Sequence, residues 1–106
     1  MLEVDKLTFE AEVLKAPCKV VVDFYGDGCV PCAALMPKVH AFADQYGSEK
    51  LKFCAINTSK ARRLAIGQKV LGLPVIAVYE NGKMIDSCVK DAATPENVEA
   101  MIKKYL

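Results

Sequence analysis

A chain of 106 residues with 53% hydrophobic and 25% charged side chains can close one core and lacks the material for a second, so a single domain over residues 1–106 is expected. Fourteen basic residues against thirteen acidic ones leave a net charge of +1, and with the two signs interspersed no charged stripe points to nucleic acid or anionic lipid as a partner. The opening Met1-Leu2-Glu3-Val4-Asp5-Lys6 lacks the basic start and apolar run of a secretory signal, and no stretch approaches the ~20 apolar residues that cross a bilayer; a cytoplasmic monomer is the expectation. Five cysteines are an odd number, unlike the evenly counted framework of a stapled secreted domain. In a reducing compartment they read as one reactive pair and three ordinary thiols.

In chain order, Leu2 to Asp5 reads as a short edge strand and Thr8 to Lys15 as a helix with Thr8 as its N-cap. Lys19 to Tyr25 contains Val20-Val21-Val22, a β-branched run suited to a central strand buried on both faces. From Cys32 to Gly47, Leu35, Met36, Val39, Phe42, Ala43 and Tyr46 recur at helical spacing, with Pro37 as an expected kink. Leu51 to Ile56 is a second buried strand, and Ser59 to Ile66 a short helix stopped near Gly67. Pro74 to Tyr79 and Lys83 to Val89 form a hairpin, because Asn81-Gly82 between them supplies the positive φ angles of a type I′ turn. Thr94-Pro95-Glu96 then opens a last helix whose inner face is Val98, Met101, Ile102 and Tyr105. This alternation describes an α/β fold, a mixed sheet flanked by helices on both faces.

The chemistry is carried by Cys29-Val30-Pro31-Cys32, which stands where the central strand ends and a helix begins. Two cysteines three positions apart on a first helical turn share one face and can bond after a small adjustment. The free N–H groups and positive dipole end of that turn stabilise an anion, which makes Cys29 the nucleophile. A structural zinc site would require a second pair or two closely spaced histidines; the one histidine, His40, lies eight residues beyond Cys32, ~12 Å away along a helix. Covalent haem attachment would want a histidine where Ala33 stands, and an iron–sulfur cluster would need further cysteines at short spacing. Cys18, Cys54 and Cys88 read as small buried hydrophobes, with Cys18 the most exposed of the three. Phe24, Phe42 and Phe53 fall on core faces.

The residues Val22-Asp23-Phe24-Tyr25, Cys29-Val30-Pro31-Cys32, Pro37, Gly72-Leu73-Pro74-Val75 and Asn81-Gly82 stand in the order and spacing of thioredoxins, and the chain resembles that family over nearly its whole length. The resemblance implies a thioredoxin fold and a dithiol–disulfide oxidoreductase. Cys29 then attacks a target disulfide, Cys32 resolves the mixed disulfide, and Asp23, buried behind the pair with a raised pKa, relays a proton to or from Cys32. Pro74 becomes the family's cis-proline facing the dithiol, and the backbone at Leu73 pairs with an extended substrate segment. No cofactor is implied beyond the redox-active cysteine pair. The implied partners are a flavin-containing thioredoxin reductase and disulfide-containing target proteins.

Five positions depart from the family pattern. Gly28 stands where the family usually has tryptophan, and Val30 where it has glycine, which alters the docking surface formed with Pro31 around Cys29. Ala55 takes the place of a lysine that often neighbours the buried acid, so Asp23 is expected to lack a charge partner. Val89-Lys90-Asp91 replaces a Val-Gly-Ala loop, putting charge where a partner normally rests. The Gly-Cys-Val-Pro-Cys form is similar to thioredoxins of anaerobic amino-acid-fermenting bacteria, which implies glycine-reductase components as targets. Three other readings compete: a glutathione-dependent glutaredoxin-like enzyme, a thiol oxidase and a redox-silent module. The first would want a Thr-Val-Pro motif and a downstream Gly-Gly, where this chain has Gly72-Leu73-Pro74 and Asp91-Ala92-Ala93. A periplasmic oxidase needs export, and a silent module should have lost a cysteine.

Overall fold

In the computed structural model, which describes all residues from Met1 to Leu106, the strands β1 (Leu2–Val4), β2 (Lys19–Tyr25), β3 (Leu51–Asn57), β4 (Val75–Glu80) and β5 (Lys83–Val89) form one sheet in the order β1-β3-β2-β4-β5. β1, β3 and β2 run parallel, while β4 lies antiparallel to β2 and β5 antiparallel to β4. The sheet is therefore mixed, as the sequence pattern requires, and the Val20-Val21-Val22 run occupies its middle strand.

Side-chain alternation along β2 divides the core in two. Val20, Val22 and Phe24 point to one face, where they pack with Phe9, Val13, Ile56, Ala65 and Tyr79. Val21 points to the other, with Leu35, Val39 and Phe42 of helix α1 (Val30–Tyr46) and Val98, Met101 and Ile102 of helix α3 (Pro95–Lys103). Val20, Val21 and Val22 retain no accessible surface, and each contributes on the order of 1.5 kcal/mol or more by leaving water. Phe9 meets Tyr79 edge-on at 5.9 Å between ring centroids. Phe24, Phe42 and Phe53 all lie in these two cores.

The turn between β4 and β5 has Asn81 at φ 52° and Gly82 at φ 78°, the signs a type I′ turn demands. A bulge at Ile85 shifts the register, so that Tyr79 pairs with Met84 but Val78 with Asp86. Thr94 caps α3 by accepting the Asn97 N–H at 3.1 Å. α1 runs unbroken through Pro37. No helix is long and apolar enough to cross a membrane.

Two local expectations are corrected. The first helix does not begin at Thr8 but follows a turn that starts at Asp5, whose Oδ1 accepts the Leu7 and Thr8 N–H groups at 2.8 and 3.0 Å. Thr8 Oγ1 reaches back to the Asp5 N–H at 3.0 Å. The Thr8 hydroxyl is thus engaged with Asp5, donating also to its Oδ1 at 3.2 Å, and no side chain caps the helical segment, a short π-type turn, Glu10–Leu14. The Ser59 to Ile66 helix is in fact split into a 3₁₀ turn, Thr58–Lys60, and a helix α2, Arg62–Gly67. Thr58 donates to the Tyr25 carbonyl at 2.9 Å and Ser59 Oγ accepts from Asp27 N at 2.9 Å. Both hydroxyls are thereby committed to the end of β2, and the helix starts anew beyond Ala61.

Candidate active site

The end of β2 and the start of α1 place the two cysteines. Gly26 carries its carbonyl to the Cys29 N–H at 3.4 Å. Gly28 turns the chain through φ +72°, a left-handed conformation that favours glycine, with open space where a β-carbon would stand. Cys29 is the N-cap residue of α1, and Pro31 occupies the first turn, where its missing N–H costs nothing. The Cys29 and Cys32 α-carbons lie 5.3 Å apart and the sulfurs are joined as a disulfide.

The two sulfurs have unlike surroundings. Cys29 is half-buried, while Cys32 is 2% exposed and shares the inward face of α1 with Leu35 and Val39. The Cys32 N–H donates to Cys29 Sγ at 3.3 Å, one of the free donors of a first helical turn. That bond, with the helix dipole, favours negative charge on Cys29 and not on Cys32.

Asp23 belongs to the sheet face that α1 covers, two residues beyond Val21 on β2. It is 1% exposed, stands in register between Ala55 of β3 and Ile76 of β4, and its Oδ2 has no hydrogen-bond partner. Burial pushes its carboxyl up to about 7, and the negative charge of Glu3 adds to the rise. The lysine-free surroundings expected from Ala55 are present. Glu3 is a contributor that the sequence reading passed over: it pairs with the same Ala55 from the β1 side, which sets Glu3, Ala55 and Asp23 in one row across three strands. Tyr25 donates its hydroxyl to Glu3 Oε2 at 2.7 Å, and burial pushes the tyrosine up to about 12.

Leu73–Pro74 is a cis peptide bond. Pro74 is buried and shares a cleft with Pro31, Leu35, Lys90, Asp91 and Pro95, so the fold gathers the Cys-x-x-Cys turn and the cis-proline at one site. The Leu73 side chain lies over Gly26, where a β-carbon would stand 2.8 Å from Leu73 Cδ1. Gly26 is thus a packing requirement that sequence reasoning missed, although a glycine between a strand and its catalytic turn is a usable signal. Val30 is 77% exposed beside the dithiol. Lys90 donates its backbone N–H to the Pro74 carbonyl at 2.8 Å, which ties the Val89-Lys90-Asp91 loop to the cis-proline.

No three His, Cys, Asp or Glu side chains gather as a metal-binding group, and His40 is exposed on α1. Cys54 and Cys88 are buried and Cys18 is half-buried; burial pushes the Cys54 thiol up to about 11. The arrangement is one half-buried sulfur that accepts a helix-start N–H, one buried sulfur bonded to it, and an unpartnered acid raised to about 7.

The family model for thioredoxin matches residues 1–104. The chain is 54% identical to a thioredoxin of Acetoanaerobium sticklandii over 106 residues, the full length of both chains. It is 52% identical to one of Peptoclostridium acidaminophilum over all of this chain and 96% of the relative, and 67% identical to a thioredoxin of Clostridium sporogenes over 39 residues, 37% of this chain and 98% of that sequence. With this agreement in sequence joined to a bonded Cys29–Cys32 pair at a helix start, the chain belongs to the thioredoxin family of dithiol–disulfide oxidoreductases.

Proposed function

We propose that Cys29 is the attacking sulfur, Cys32 the resolving one and Asp23 the proton acceptor between them. The observation that carries this reading is the asymmetry of the pair: Cys29 accepts a helix-start N–H at 3.3 Å, while Cys32 is 2% exposed. In the reduced protein the Cys29 thiolate attacks one sulfur of a target disulfide, forming a mixed disulfide and releasing the other target sulfur as a thiolate. Asp23 takes the proton of Cys32, and the new thiolate attacks Cys29 Sγ, expelling the second target sulfur. Two electrons pass to the target, and the protein is left with its Cys29–Cys32 disulfide. A flavoprotein thioredoxin reductase supplies two electrons to restore the dithiol, so the chain needs no cofactor of its own.

Val30, Pro31, Leu73 and Pro74 receive the target segment, Gly28 leaves room beside Cys29, and the Leu73 backbone pairs with the segment as an added strand. The proposed terminal acceptors are components of a glycine-reductase-type system in the cytoplasm, a reading supported by the Gly-Cys-Val-Pro-Cys motif and by identity to the thioredoxins of A. sticklandii and P. acidaminophilum. Redox titration of the Cys29–Cys32 couple tests the direction of electron flow. A two-electron couple near roughly −270 mV supports a reductase, whereas a value near roughly −120 mV would make the protein an oxidant. Delivery of electrons from the reduced protein to a purified glycine-reductase-type selenoprotein tests the acceptor.

A further inference from the structure

Charge over the whole chain is balanced, but from Lys50 to Tyr79 there are six basic residues and no acidic one. Lys52 is spent on Glu12 at 2.6 Å. Lys60, Arg62, Arg63 and Lys69 form no ion pair, since the three salt bridges of the molecule lie elsewhere, and all four are exposed. Lys50 and Lys52 lie at the far end of the sheet, because Leu51 pairs with Lys19 at the start of β2, whereas the residues after Asn57 begin beside Tyr25, at the end of β2 that leads to the dithiol. Arg62, Ala65, Ile66, Leu71 and Leu73 line an apolar groove, in which Ile66 is 63% and Leu71 81% exposed. The groove is continuous with the active site, because Leu73 packs over Gly26, whose carbonyl holds the Cys29 N–H.

Lys90 closes the other side. Its stem lies across Gly72, where a β-carbon would collide with Lys90 Cε and stand 3.0 Å from Nζ. Glycine at 72 is what lets the ammonium reach over the chain beside Leu73. Lys90 does this from φ 54°, and Lys69 stands at φ 62°, left-handed conformations in which a non-glycine residue carries a cost that tends to persist where a side chain has a task. Neither has a salt-bridge partner. Asp91 shares the cleft of Pro31 and Pro95 with Lys90 itself, and the exposed Asp27 is held by Asn57 and Ser59 beside the end of β2, so the unpaired cations belong to the groove and not to the whole surround of the dithiol.

We propose that Arg62 and Lys90, with Ile66 and Leu71 between them, form a target-selecting surface that receives an acidic segment bearing a large apolar side chain next to the target's disulfide. The proposal rests on the reading that targets are reduced at Cys29, and it names their chemical class. Unpaired cations at the rim would speed encounter with an acidic segment and set its direction along the groove. The exposed Ile66 and Leu71 would be covered on docking.

The test uses two disulfide peptides that share a leucine flank and differ only in carrying two glutamates or two lysines. Single-turnover reduction by the intact, reduced protein should favour the acidic peptide by roughly tenfold at low salt, and the preference should shrink to about twofold or less in ~0.5 M salt. Arg62→Glu combined with Lys90→Glu should invert the ratio, and Arg62→Lys should keep it. Equal rates for the two peptides in the wild type, or a ratio unmoved by charge reversal, overturns the proposal. Wild-type reduction of hydroxyethyl disulfide, which is uncharged, separates the two levels. If it proceeds while the peptide ratio is one, the groove is no selector and the thiol chemistry stands; if it fails, the assignment of Cys29 fails and this inference with it.

Discussion

Asp23 and Ala55 stand directly opposite one another across β2 and β3, and the methyl group of Ala55 offers the buried carboxyl neither charge nor hydrogen bond. The consequence is an acid raised from 3.8 to about 7 with an unpartnered oxygen. An acid whose folded pKa exceeds its unfolded one costs nothing below the unfolded value. The cost then grows between about pH 4 and pH 7, and is complete above the folded value. Asp23→Asn should therefore stabilise the protein by about 2–4 kcal/mol at pH 8 and by nearly nothing at pH 3.5. Chemical denaturation of both forms at the two pH values measures the difference, and a gap independent of pH would contradict the assignment. The same variant should slow release of the mixed disulfide, since Cys32 loses its proton acceptor.

Glu3 should be a tuner of that acid. It lies in the same cross-strand row and its charge raises Asp23. Glu3→Gln should move the Asp23 titration, followed by carboxyl NMR shifts, to lower pH. A titration unmoved by this change would show that burial alone sets the value. Tyr25→Phe, which removes the hydroxyl donated to Glu3 Oε2, provides a control that alters the pair without altering charge.

Alkylation should separate four of the five cysteines. In the reduced protein at neutral pH, iodoacetamide should modify Cys29 at least about tenfold faster than Cys32, because reaction follows thiolate fraction and access. Cys54, buried and raised to about 11, and Cys88, also raised by burial, should remain unmodified until the protein unfolds. Peptide mapping after brief labelling checks the order.

Gly28 and Lys90 make opposite predictions at the same backbone conformation. Gly28 sits at φ 72° with open space around its α-carbon, so Gly28→Ala should cost about 1 kcal/mol through the backbone alone. Lys90 sits at φ 54°, and Lys90→Gly should gain about 0.5–1 kcal/mol. Urea midpoints with unchanged slopes measure both. A Lys90→Gly variant that is no more stable would mean that the lysine stem over Gly72 repays its backbone cost.

The middle strand, the hairpin and the cysteine pair were legible in the sequence because each has a local cause: a β-branched triplet, an Asn-Gly turn and a strand-to-helix junction. Asp23 was legible from its place inside an apolar strand, and Pro74 through the motif around it. What was not legible depends on residues distant along the chain. The one local exception is Thr8, whose hydroxyl is held by Asp5, accepting its N–H and donating to its Oδ1, and so does not cap the helix. The split at Ala61 arises because Thr58 and Ser59 are drawn to the end of β2, 33 and 32 residues away. Glu3 reaches Asp23 only through strand order, and Lys90 meets Gly72 only after β4 and β5 have folded back. The cation-only stretch from Lys50 to Tyr79 was visible in the sequence but hidden by a balanced total.

The division of labour within the pair is tested most directly by Cys32→Ser in a cell extract. With the resolving sulfur replaced, target proteins should accumulate as mixed disulfides, and mass spectrometry should place every linkage on Cys29. Cys29→Ser should capture none and should reduce no protein disulfide. Linkages through Cys32 in the Cys29→Ser variant, or a Cys32→Ser protein that releases its targets as fast as the wild type, would contradict the account.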